Sequence, residues 1–494
     1  MRWASTLLPS AASGLFFAAL ANGAPAVGSA ATPTLKERQT SDRLVFAHFM
    51  IGISTDRTSS ADYDADILRA KSLGIDAFAL NFGPDTASAN YSQQLVYAYE
   101  SAANNGFSVF LSFDFNTGLW DTADAAAVGA RIAAFGSRGG QLKVDDKAFV
   151  SSFVGDALDV SAVRTAAGID IFFAPNFNPG GGADWTQLDG AFSWYAWPTD
   201  GSNNPPSSTS TYLPTYADTD YTTKLGGDKT KYVAPVSPWF FTHYGSEVSF
   251  GPKNYLFPSE FLWFTRWQEI LDLGSRFVEI ITWNDYGESH YIGPLSSPHY
   301  DDGNSKWTND MPHNGWADLA APYIAAYKAG ATSPTSYITT DRLVYWFRPQ
   351  PKGLDCASTD NVGAAPSGAD LVADKLFVVT MLTDAANVTV GSGGDATQTF
   401  AAPKGVASFT VPLAVGVQAF AVERGGVAVD GLGGQAPKQV SGECVCGLYN
   451  FNAFVGTLPV AEQGDALQAD GLSRFTEGLK VATCSPTPTL TARR

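Results

Sequence analysis

Beyond its first 23 residues the sequence has no apolar run long enough to cross a lipid bilayer. The first residues are typical of an export signal, with one positive charge at Arg2, an apolar stretch over residues 7–20, and small residues at Ala21 and Gly23. A membrane anchor is the alternative, which the proline, serines and glycine inside that stretch disfavour. We therefore predict a signal peptide over residues 1–23 and a secreted, extracellular protein.

Basic residues are scarce, since 31 Lys and Arg face 48 Asp and Glu, for a formal net charge of -17. A chain this negative repels phosphate backbones, which argues against a nucleic acid as partner and favours a neutral or basic substrate. We expect a monomer. Asn90 and Asn387 each begin an Asn-x-Ser/Thr triplet, so the exported chain is expected to be a glycoprotein.

Only four cysteines are present, and all fall in the last third of the chain: Cys356, Cys444, Cys446 and Cys484. An even set in an exported chain predicts two disulfides, with Cys356 and Cys484 tied to the neighbourhood of Cys444 and Cys446. A zinc site is the alternative, but no histidine lies beyond His313 and the Cys-x-Cys spacing is tighter than in common zinc knuckles. We expect no metal or other cofactor.

The first two thirds of the chain alternate short apolar runs with segments of helical period. Stretches such as 63–73, 93–104 and 261–273 have apolar residues three and four apart. The apolar runs cover residues 44–51, 76–82, 108–113, 148–154, 169–174, 190–197, 232–236 and 277–283. This pattern predicts a (β/α)8 barrel of the TIM type over residues 41–331. A doubly wound open sheet is the alternative, but no glycine-rich nucleotide fingerprint follows the first run.

After about residue 332 the composition shifts to Val, Thr, Gly and Ala. Short alternating runs at 376–382, 386–390, 407–411 and 418–422 are separated by glycine or proline turns. This pattern predicts a β-sandwich domain over residues 335–484. The Ser/Thr/Pro-rich residues 485–494 are expected to be a disordered tail.

Reactive groups of a (β/α)8 barrel lie where its strands end and the following loops begin. The eighth strand leads into the densest group of functional side chains, which contains Asp285 and Glu288. The other candidates for substrate contact at strand ends are His48, Asn81, Asp114, Asp156, Trp239, His243, Tyr244, Trp283, Asn284, Tyr286 and His290. Aromatic rings at such positions stack on sugar rings, although core packing is the alternative for each of them.

Hydrolysis of a glycosidic bond needs one carboxylic acid to protonate the leaving oxygen and one carboxylate to activate water or to attack the sugar. Asp285 and Glu288 supply such a pair. The alternative is that one of them caps the following helix or pairs with a basic residue. Because Gly287 lets the chain turn freely, spacing alone leaves inverting and retaining geometries open.

Seven segments resemble the fungal α-1,3-glucanases, or mutanases, of glycoside hydrolase family 71. The likeness spans residues 41 to 455. The segments are LVFAHFM at 44–50, GIDAFALN at 74–81, FLSFD at 110–114, PVSPWF at 235–240, FVEIITWNDYGESHYIGP at 277–294, MPHNGW at 311–316 and LVYWFRP at 343–349. The resemblance implies an inverting hydrolase of α-1,3-glucan that needs no metal, with its acid and base at Asp285 and Glu288.

An inverting enzyme holds a water between sugar and base, so its carboxyl groups lie about 6.5–9.5 Å apart, whereas a retaining pair lies about 5–5.5 Å apart. The resemblance selects the longer separation. Reaching it requires residues 286 and 287 to turn without closing a helical hydrogen bond, and we expect Asp285 as acid and Glu288 as base. Two other functions stay open: a wall-associated carbohydrate-binding protein of weak activity, and a retaining glycosidase on another glucan.

Overall fold

The computed structural model describes residues 43–460 except 87–89, 208–210, 247, 249 and 396. The predicted signal peptide, Cys484 and the predicted tail lie outside these residues. Within them, no helix combines the length and apolar character that crossing a bilayer needs. The described part belongs to one compact unit that begins at Gln39.

The chain alternates strands and helices up to Lys328 and is almost entirely strand thereafter. The helices are α1 (Asp64–Ser72), α2 (Tyr91–Asn105), α3 (Ala125–Phe135), α4 (Val160–Ala167), α5 (Pro214–Lys224), α6 (Leu262–Leu273), α7 (Ser305–Thr308) and α8 (Asn314–Lys328). The first eleven strands are β1 (Leu44–Met50), β2 (Ala77–Phe82), β3 (Ser108–Asp114), β4 (Lys143–Val144), β5 (Lys147–Phe153), β6 (Ile171–Phe173), β7 (Ala191–Phe192), β8 (Tyr232–Val236), β9 (Phe241–Tyr244), β10 (Lys253–Leu256) and β11 (Phe277–Ile280). The helical periods predicted at 63–73, 93–104 and 261–273 correspond to α1, α2 and α6.

Each of the eight predicted apolar runs contains a strand of one curled sheet. Its order is β4-β5-β3-β2-β1-β11-β8-β7, with β6 also paired to β5, and all its pairings except β4 with β5 are parallel. Strands adjacent in sequence are therefore neighbours in the sheet, which a doubly wound sheet would not give. The sheet is an α/β half-barrel, and backbone hydrogen bonds from Gly190 N to Phe173 O, at 3.2 Å, and from Phe192 N to Pro175 O, at 3.0 Å, link the ends of β6 and β7.

The concave face of the sheet is filled by phenylalanine. Successive side chains of a strand point to opposite faces, so alternate residues meet inside the sheet while their neighbours pack against the helices. The rings inside come from Phe46, Phe110, Phe149, Phe172, Phe192 and Phe277, all at most 5% exposed. Strands buried on both faces explain why the runs read as continuously apolar.

The C-terminal region consists of two antiparallel four-stranded sheets, of order β16-β13-β12-β19 and β15-β14-β17-β18. Their strands are β12 (Arg342–Phe347), β13 (Lys375–Leu382), β14 (Ala386–Ser392), β15 (Gln398–Ala402), β16 (Gly405–Pro412), β17 (Gln418–Arg424), β18 (Val427–Gln435) and β19 (Phe454–Leu458). Both sheets contribute to one buried cluster, in which the rings of Tyr345 and Phe420 stack with centroids 4.1 Å apart. All four predicted alternating runs lie in strands of these sheets.

A disulfide joins Cys356 to Cys444, with the Cα atoms 5.7 Å apart. It connects the loop after β12 to the segment before β19. Cys446 is also disulfide-bonded. The prediction that Cys356 is tied to the neighbourhood of Cys444 and Cys446 is confirmed, because Cys356 is bonded to Cys444.

Candidate active site

The loop after β11 is held against the end of β1 by its own backbone and by Asn284. Trp283 N donates to His48 O at 2.8 Å, and the Asn284 carboxamide accepts from Met50 N at 2.7 Å and donates to Met50 O at 3.3 Å. These bonds place the next residues, Asp285 to Glu288, at the carboxyl end of the sheet. The buried Asn284 is thus a backbone anchor of the loop.

The predicted carboxylate pair lies on one short 3-10 turn, Tyr286–Glu288. Asp285 precedes this turn, and its Oδ1 accepts from Glu288 N at 3.2 Å. Asp285 therefore caps this turn, as the alternative interpretation of the sequence expected for one of the two acids. The side chains of Asp285 and Glu288 are 17% and 16% exposed, so each keeps a surface that a substrate can approach.

The two carboxyl groups approach each other closely. One oxygen of Asp285, one oxygen of Glu288 and a ring nitrogen of His290 lie within 4.8 Å of one another, a shorter distance than the 6.5–9.5 Å expected between the two carboxyl groups. The cause is the turn itself. A helical hydrogen bond from Ser289 N to Tyr286 O, at 3.2 Å, closes this turn across residues 286 and 287. The side chains of Asp285 and Glu288 therefore lie close together.

Glu288 is surrounded by cationic and hydrogen-bonding groups. Lys253 Nζ lies 3.0 Å from Glu288 Oε1, and His290 Nε2 lies 3.1 Å from Glu288 Oε2. Burial acts to raise the pKa of Glu288, but the charges and hydrogen bonds of Lys253 and His290 outweigh it and lower the pKa well below its usual range. The other ring nitrogen of His290 contacts Thr282 Oγ1 at 3.1 Å, which fixes the ring.

Asp285 shows the opposite shift. Burial raises the pKa of Asp285, and the neighbouring Glu288 charge acts in the same direction, against the attraction of His290. Two carboxylates on one turn therefore differ in the ease with which they hold a proton. Such a difference is what separates a proton donor from an ionised partner in acid–base catalysis.

Tyr244 lies beside this turn and reaches a third carboxylate. Its hydroxyl donates to Asp302 Oδ1 at 2.9 Å. Burial, together with the charge of Asp285, raises the pKa of Asp302 to about 7. A side chain at Gly287 would collide with the Tyr244 hydroxyl, so glycine is required where the turn meets Tyr244.

Lys253 and Asp302 were both missed by the sequence analysis. Lys253 begins a four-residue strand outside the main sheet, and Asp302 follows Asp301 in a loop far from any strand end. A paired acid at 301–302 and a lone cation at the start of an alternating run were the signals available. Neither points to the site without the fold.

His48, Asn81 and Asp114 gather at the ends of β1, β2 and β3. His48 Nδ1 contacts the buried Glu279 Oε1 at 2.7 Å, and its Nε2 has no hydrogen-bond partner among the described residues. Burial raises the pKa of Asp114, while a hydrogen bond from Asn81 and the charges of His48 and Lys253 oppose the rise. Lys253 therefore acts electrostatically on Asp114 as well as on Glu288.

A cleft of about 180 Å³ opens where β5, β6 and β7 end. Its lining includes Trp194, Tyr195 and Asp156. The Trp194 ring lies 4.9 Å from the ring of His48, centroid to centroid, which connects the cleft to the site. Asp156 Oδ1 accepts from Asn178 N at 2.7 Å, so this predicted contact residue also holds the cleft's own loop.

Four other predicted contact residues are buried and bonded within the protein, and the structure does not bring their side chains to an open surface. Trp239 Nε1 donates to Phe451 O, Trp283 Nε1 to Asp66 Oδ1, and the Tyr286 hydroxyl to Pro294 O. The two ring nitrogens of His243 contact Asn254 Oδ1 and Asp360 Oδ2, each at 2.7 Å. These four side chains support the loops that carry the site.

Asp285, Glu288 and His290 are also the one cluster in the described residues with metal-ligand spacing. The ammonium group of Lys253 already lies against Glu288 at 3.0 Å. A cation bound at these three atoms would therefore meet the repulsion of that charge.

Two carboxyl groups of different proton affinity, at the carboxyl end of a curled parallel sheet, are typical of the active site of a glycoside hydrolase. Residues 41–468 match the model of glycosyl hydrolase family 71, so the chain belongs to that family. It is a glycoside hydrolase. The family expected from the seven segments is confirmed.

Two fungal relatives align over most of this chain. A mutanase of Penicillium rubens is 41% identical over 452 residues, which cover 90% of this chain and 96% of the relative. A glucan endo-1,3-alpha-glucosidase of Schizosaccharomyces pombe is 36% identical over 436 residues, covering 84% of this chain and 95% of the relative. Among solved structures, a GH99 endo-alpha-mannosidase of Bacteroides thetaiotaomicron superposes with a TM-score of 0.42 at 11% identity, over 58% of this chain and 98% of that one.

Proposed function

We propose that the protein is a secreted enzyme that hydrolyses the α-1,3-glucosidic bonds of α-1,3-glucan, with Asp285 as proton donor and Glu288 as its carboxylate partner. The observation that carries the proposal is the opposite pKa shift of two neighbouring carboxyl groups at the carboxyl end of the sheet. The substrate follows from family membership and from the two relatives, whose names specify mutan and the 1,3-α-glucosidic bond.

The roles follow from the electrostatics. Asp285 retains a proton to higher pH and donates it to the leaving glycosidic oxygen, which would otherwise depart as an alkoxide. Glu288 is kept ionised by Lys253 and His290 and supplies negative charge next to the sugar carbon that loses its bond. Once Asp285 has lost its proton, the next cycle requires it to be reprotonated from water.

Inversion, in which Glu288 activates a water, is the stereochemical outcome that the family resemblance implies. The short distance within the pair favours a second candidate, retention. In that route Glu288 attacks the sugar carbon as the protonated glycosidic oxygen leaves, and a water that gives its proton to Asp285 then hydrolyses the glycosyl–enzyme ester. Proton NMR of the first product distinguishes them. β-Glucose ends released from the α-linked chain indicate inversion, and α-glucose ends indicate retention.

We assign substrate contact to polar side chains near the carboxylate pair and to aromatic rings that line the cleft. His48 offers a buried ring nitrogen without a protein partner, and Asp114 and Asn81 offer polar atoms that suit sugar hydroxyls. Trp194 and Tyr195 present partly exposed rings, on which flat sugar faces stack. An uncharged polysaccharide also suits a chain of net charge -17.

We further infer that the half-barrel is a (β/α)8 barrel over residues 41–331 and that the two C-terminal sheets form a β-sandwich within residues 335–484. The eight parallel strands in sequential order and the bond from Phe192 N to Pro175 O support the barrel. The cluster shared by both C-terminal sheets supports the sandwich. Secretion after cleavage of residues 1–23 remains part of the proposal.

Digestion of linkage-defined α-glucans, with sizing of the products, tests the substrate assignment. We expect soluble oligosaccharides or glucose from α-1,3-glucan and none from α-1,4- or α-1,6-linked chains. Binding to α-1,3-glucan without release of sugar would instead identify a carbohydrate-binding wall protein. Equal activity on the other linkages would contradict the specificity.

A further inference from the structure

A β-hairpin outside the main sheet places two side chains against the catalytic turn. Its strands β9 and β10 are antiparallel, and Tyr244 and Lys253 are directly opposite each other in the ladder. Residues opposite each other in an antiparallel pair project from the same face. The hairpin therefore presents a hydroxyl and an ammonium group side by side.

The ammonium group of Lys253 and the hydroxyl of Tyr244 each bind a carboxylate near Gly287. Lys253 Nζ contacts Glu288 Oε1 at 3.0 Å, and the Tyr244 hydroxyl donates to Asp302 Oδ1 at 2.9 Å. Tyr244 lies so close to Gly287 that a Cβ atom there would overlap its hydroxyl. The hairpin thus contacts both the backbone of the turn, at Gly287, and its acidic side chain, Glu288.

The hairpin is itself firmly held. Asn254 and His243, the next pair in the ladder, contact each other through Oδ1 and Nδ1 at 2.7 Å. His243 Nε2 then contacts Asp360 in the C-terminal region at 2.7 Å. A rigid support matters, because a lysine on a mobile strand would give Glu288 only the weak, screened attraction of a surface ion pair.

Lys253 is the cation with the largest effect on Glu288, and Glu288 in turn raises the pKa of Lys253. Other titratable groups surround Glu288 and Lys253. They are Tyr255 from β10, Tyr244 from β9, Asp285 and His290 from the loop of Glu288, Asp114 at the end of β3, and Asp302, which is bonded to Tyr244. Most of the others are acids or phenols, and His290 is shared between Asp285 and Glu288.

We propose that Lys253 is a positioning residue that keeps Glu288 ionised and thereby decides which of the two carboxyl groups carries the proton. This inference rests on the proposed function, because it concerns the same carboxylate pair. Without Lys253, His290 would still favour an ionised Glu288, but it also attracts Asp285, so two acids within 4.8 Å of each other would share one proton with a weaker preference. The hairpin, through Lys253, strengthens that preference.

The test is the pH dependence of kcat/KM in Lys253→Met and Lys253→Gln. Loss of the ammonium group raises the pKa of Glu288, so the acidic limb should move to higher pH by about one unit or more. Lys253 acts on Asp285 less than on Glu288, so the alkaline limb should move less and the profile should narrow. We expect kcat to fall while KM changes little, since Lys253 acts through Glu288.

Lys253→Arg keeps the charge and should restore the acidic limb. Lys147→Met is the matched control, because Lys147 forms an ion pair of 2.8 Å with Asp189 away from the site; its profile should equal that of the wild type. Thermal unfolding of each variant establishes that the fold is retained.

An acidic limb that stays in place in both Lys253→Met and Lys253→Gln would overturn the inference. The proposed function is tested separately by Asp285→Asn and Glu288→Gln. If both of these are inactive and the limb of the lysine variants is unmoved, only the role of Lys253 fails. If either acid variant keeps wild-type activity, the catalytic pair itself is refuted.

Discussion

The inside of the parallel sheet is apolar, whereas the carboxyl end of the same strands, only two residues further on, is polar. On β1, Phe46 belongs to the phenylalanine layer and His48 to the site. On β11, Phe277 and Glu279 have the same relationship. Because residues two apart share a face, the same strand supplies an apolar layer below and a polar layer above.

The side chains of the two layers make different kinds of contact. The rings below pack against one another, with centroids 4.8 Å apart for Phe110 and Phe149. In the polar layer, His48 Nε2 and Ser112 Oγ have no hydrogen-bond partner among the described residues, and several carboxyl groups have shifted pKa values. Buried polar atoms without partners cost stability. The comparison therefore predicts that changes below reduce stability and changes above alter chemistry.

The largest effect is expected from Asp285→Asn and Glu288→Gln. Each exchange removes the ability to donate or accept a proton while keeping nearly the same side-chain volume. We expect kcat/KM on α-1,3-glucan to fall by about 10²–10⁴-fold in each, with the midpoint of thermal unfolding little changed. Steady-state kinetics and calorimetry on the same preparations measure both quantities.

The control for Asp285→Asn must account for its role as a cap. Asp228 also caps a 3-10 turn, Lys229–Lys231, and its Oδ1 accepts from Thr230 N, two residues on, at 3.0 Å. This turn precedes β8, at the end of the sheet opposite the site. Asp228→Asn should therefore leave activity intact. A comparable loss in Asp228→Asn would mean that the effect at position 285 reflects capping.

The next largest effect should come from the phenylalanine layer. Phe149 is fully buried, and its ring contacts those of Phe46, Phe110, Phe172 and Phe277. Phe149→Ala leaves a cavity and should lower the free energy of unfolding by about 3–5 kcal/mol. Denaturant titration measures this loss, and the pH profile of the remaining activity should match the wild type.

Leu68 on α1, which is 50% exposed, provides the control, since Leu68→Ala should cost about 0.5 kcal/mol or less. A shifted pH profile in Phe149→Ala would show that the two layers are coupled, contrary to the comparison.

The apolar layer and the polar layer also differ in how well the sequence predicted them. Strands buried on both faces leave a strong signal, so all eight apolar runs correspond to strands. The closeness of Asp285 and Glu288, the proposed catalytic pair, was also predictable, because they lie three residues apart in a cluster of polar side chains. Lys253 and Asp302 were not, since they reach the pair only through the hairpin and a distant loop.

The errors have physical causes too. Trp239 and His243 follow a strand, as substrate-binding residues of a barrel do, but they contact Phe451 and Asp360 of the C-terminal region instead. Contacts between residues more than a hundred positions apart leave no local pattern. The two acids approach each other more closely than expected because residues 286–288 form a 3-10 turn, and Gly287 leaves room for Tyr244 beside this turn.

The smallest expected effect concerns Asp302, and it separates the charges in the polar layer from one another. Burial and the charge of Asp285 raise the pKa of Asp302 to about 7, so Asp302 gains its charge after Asp285 has lost its proton. Asp302→Asn should therefore leave the pKa of Asp285 nearly unchanged, and both limbs of kcat/KM should stay close to those of the wild type. Tyr244→Phe should likewise leave both limbs in place, because loss of the Tyr244 hydrogen bond leaves Asp302 neutral to higher pH. An alkaline limb that moves to lower pH in Asp302→Asn would show that Asp302 is charged before Asp285 loses its proton. An acidic limb that moves would show that Asp302 acts on Glu288.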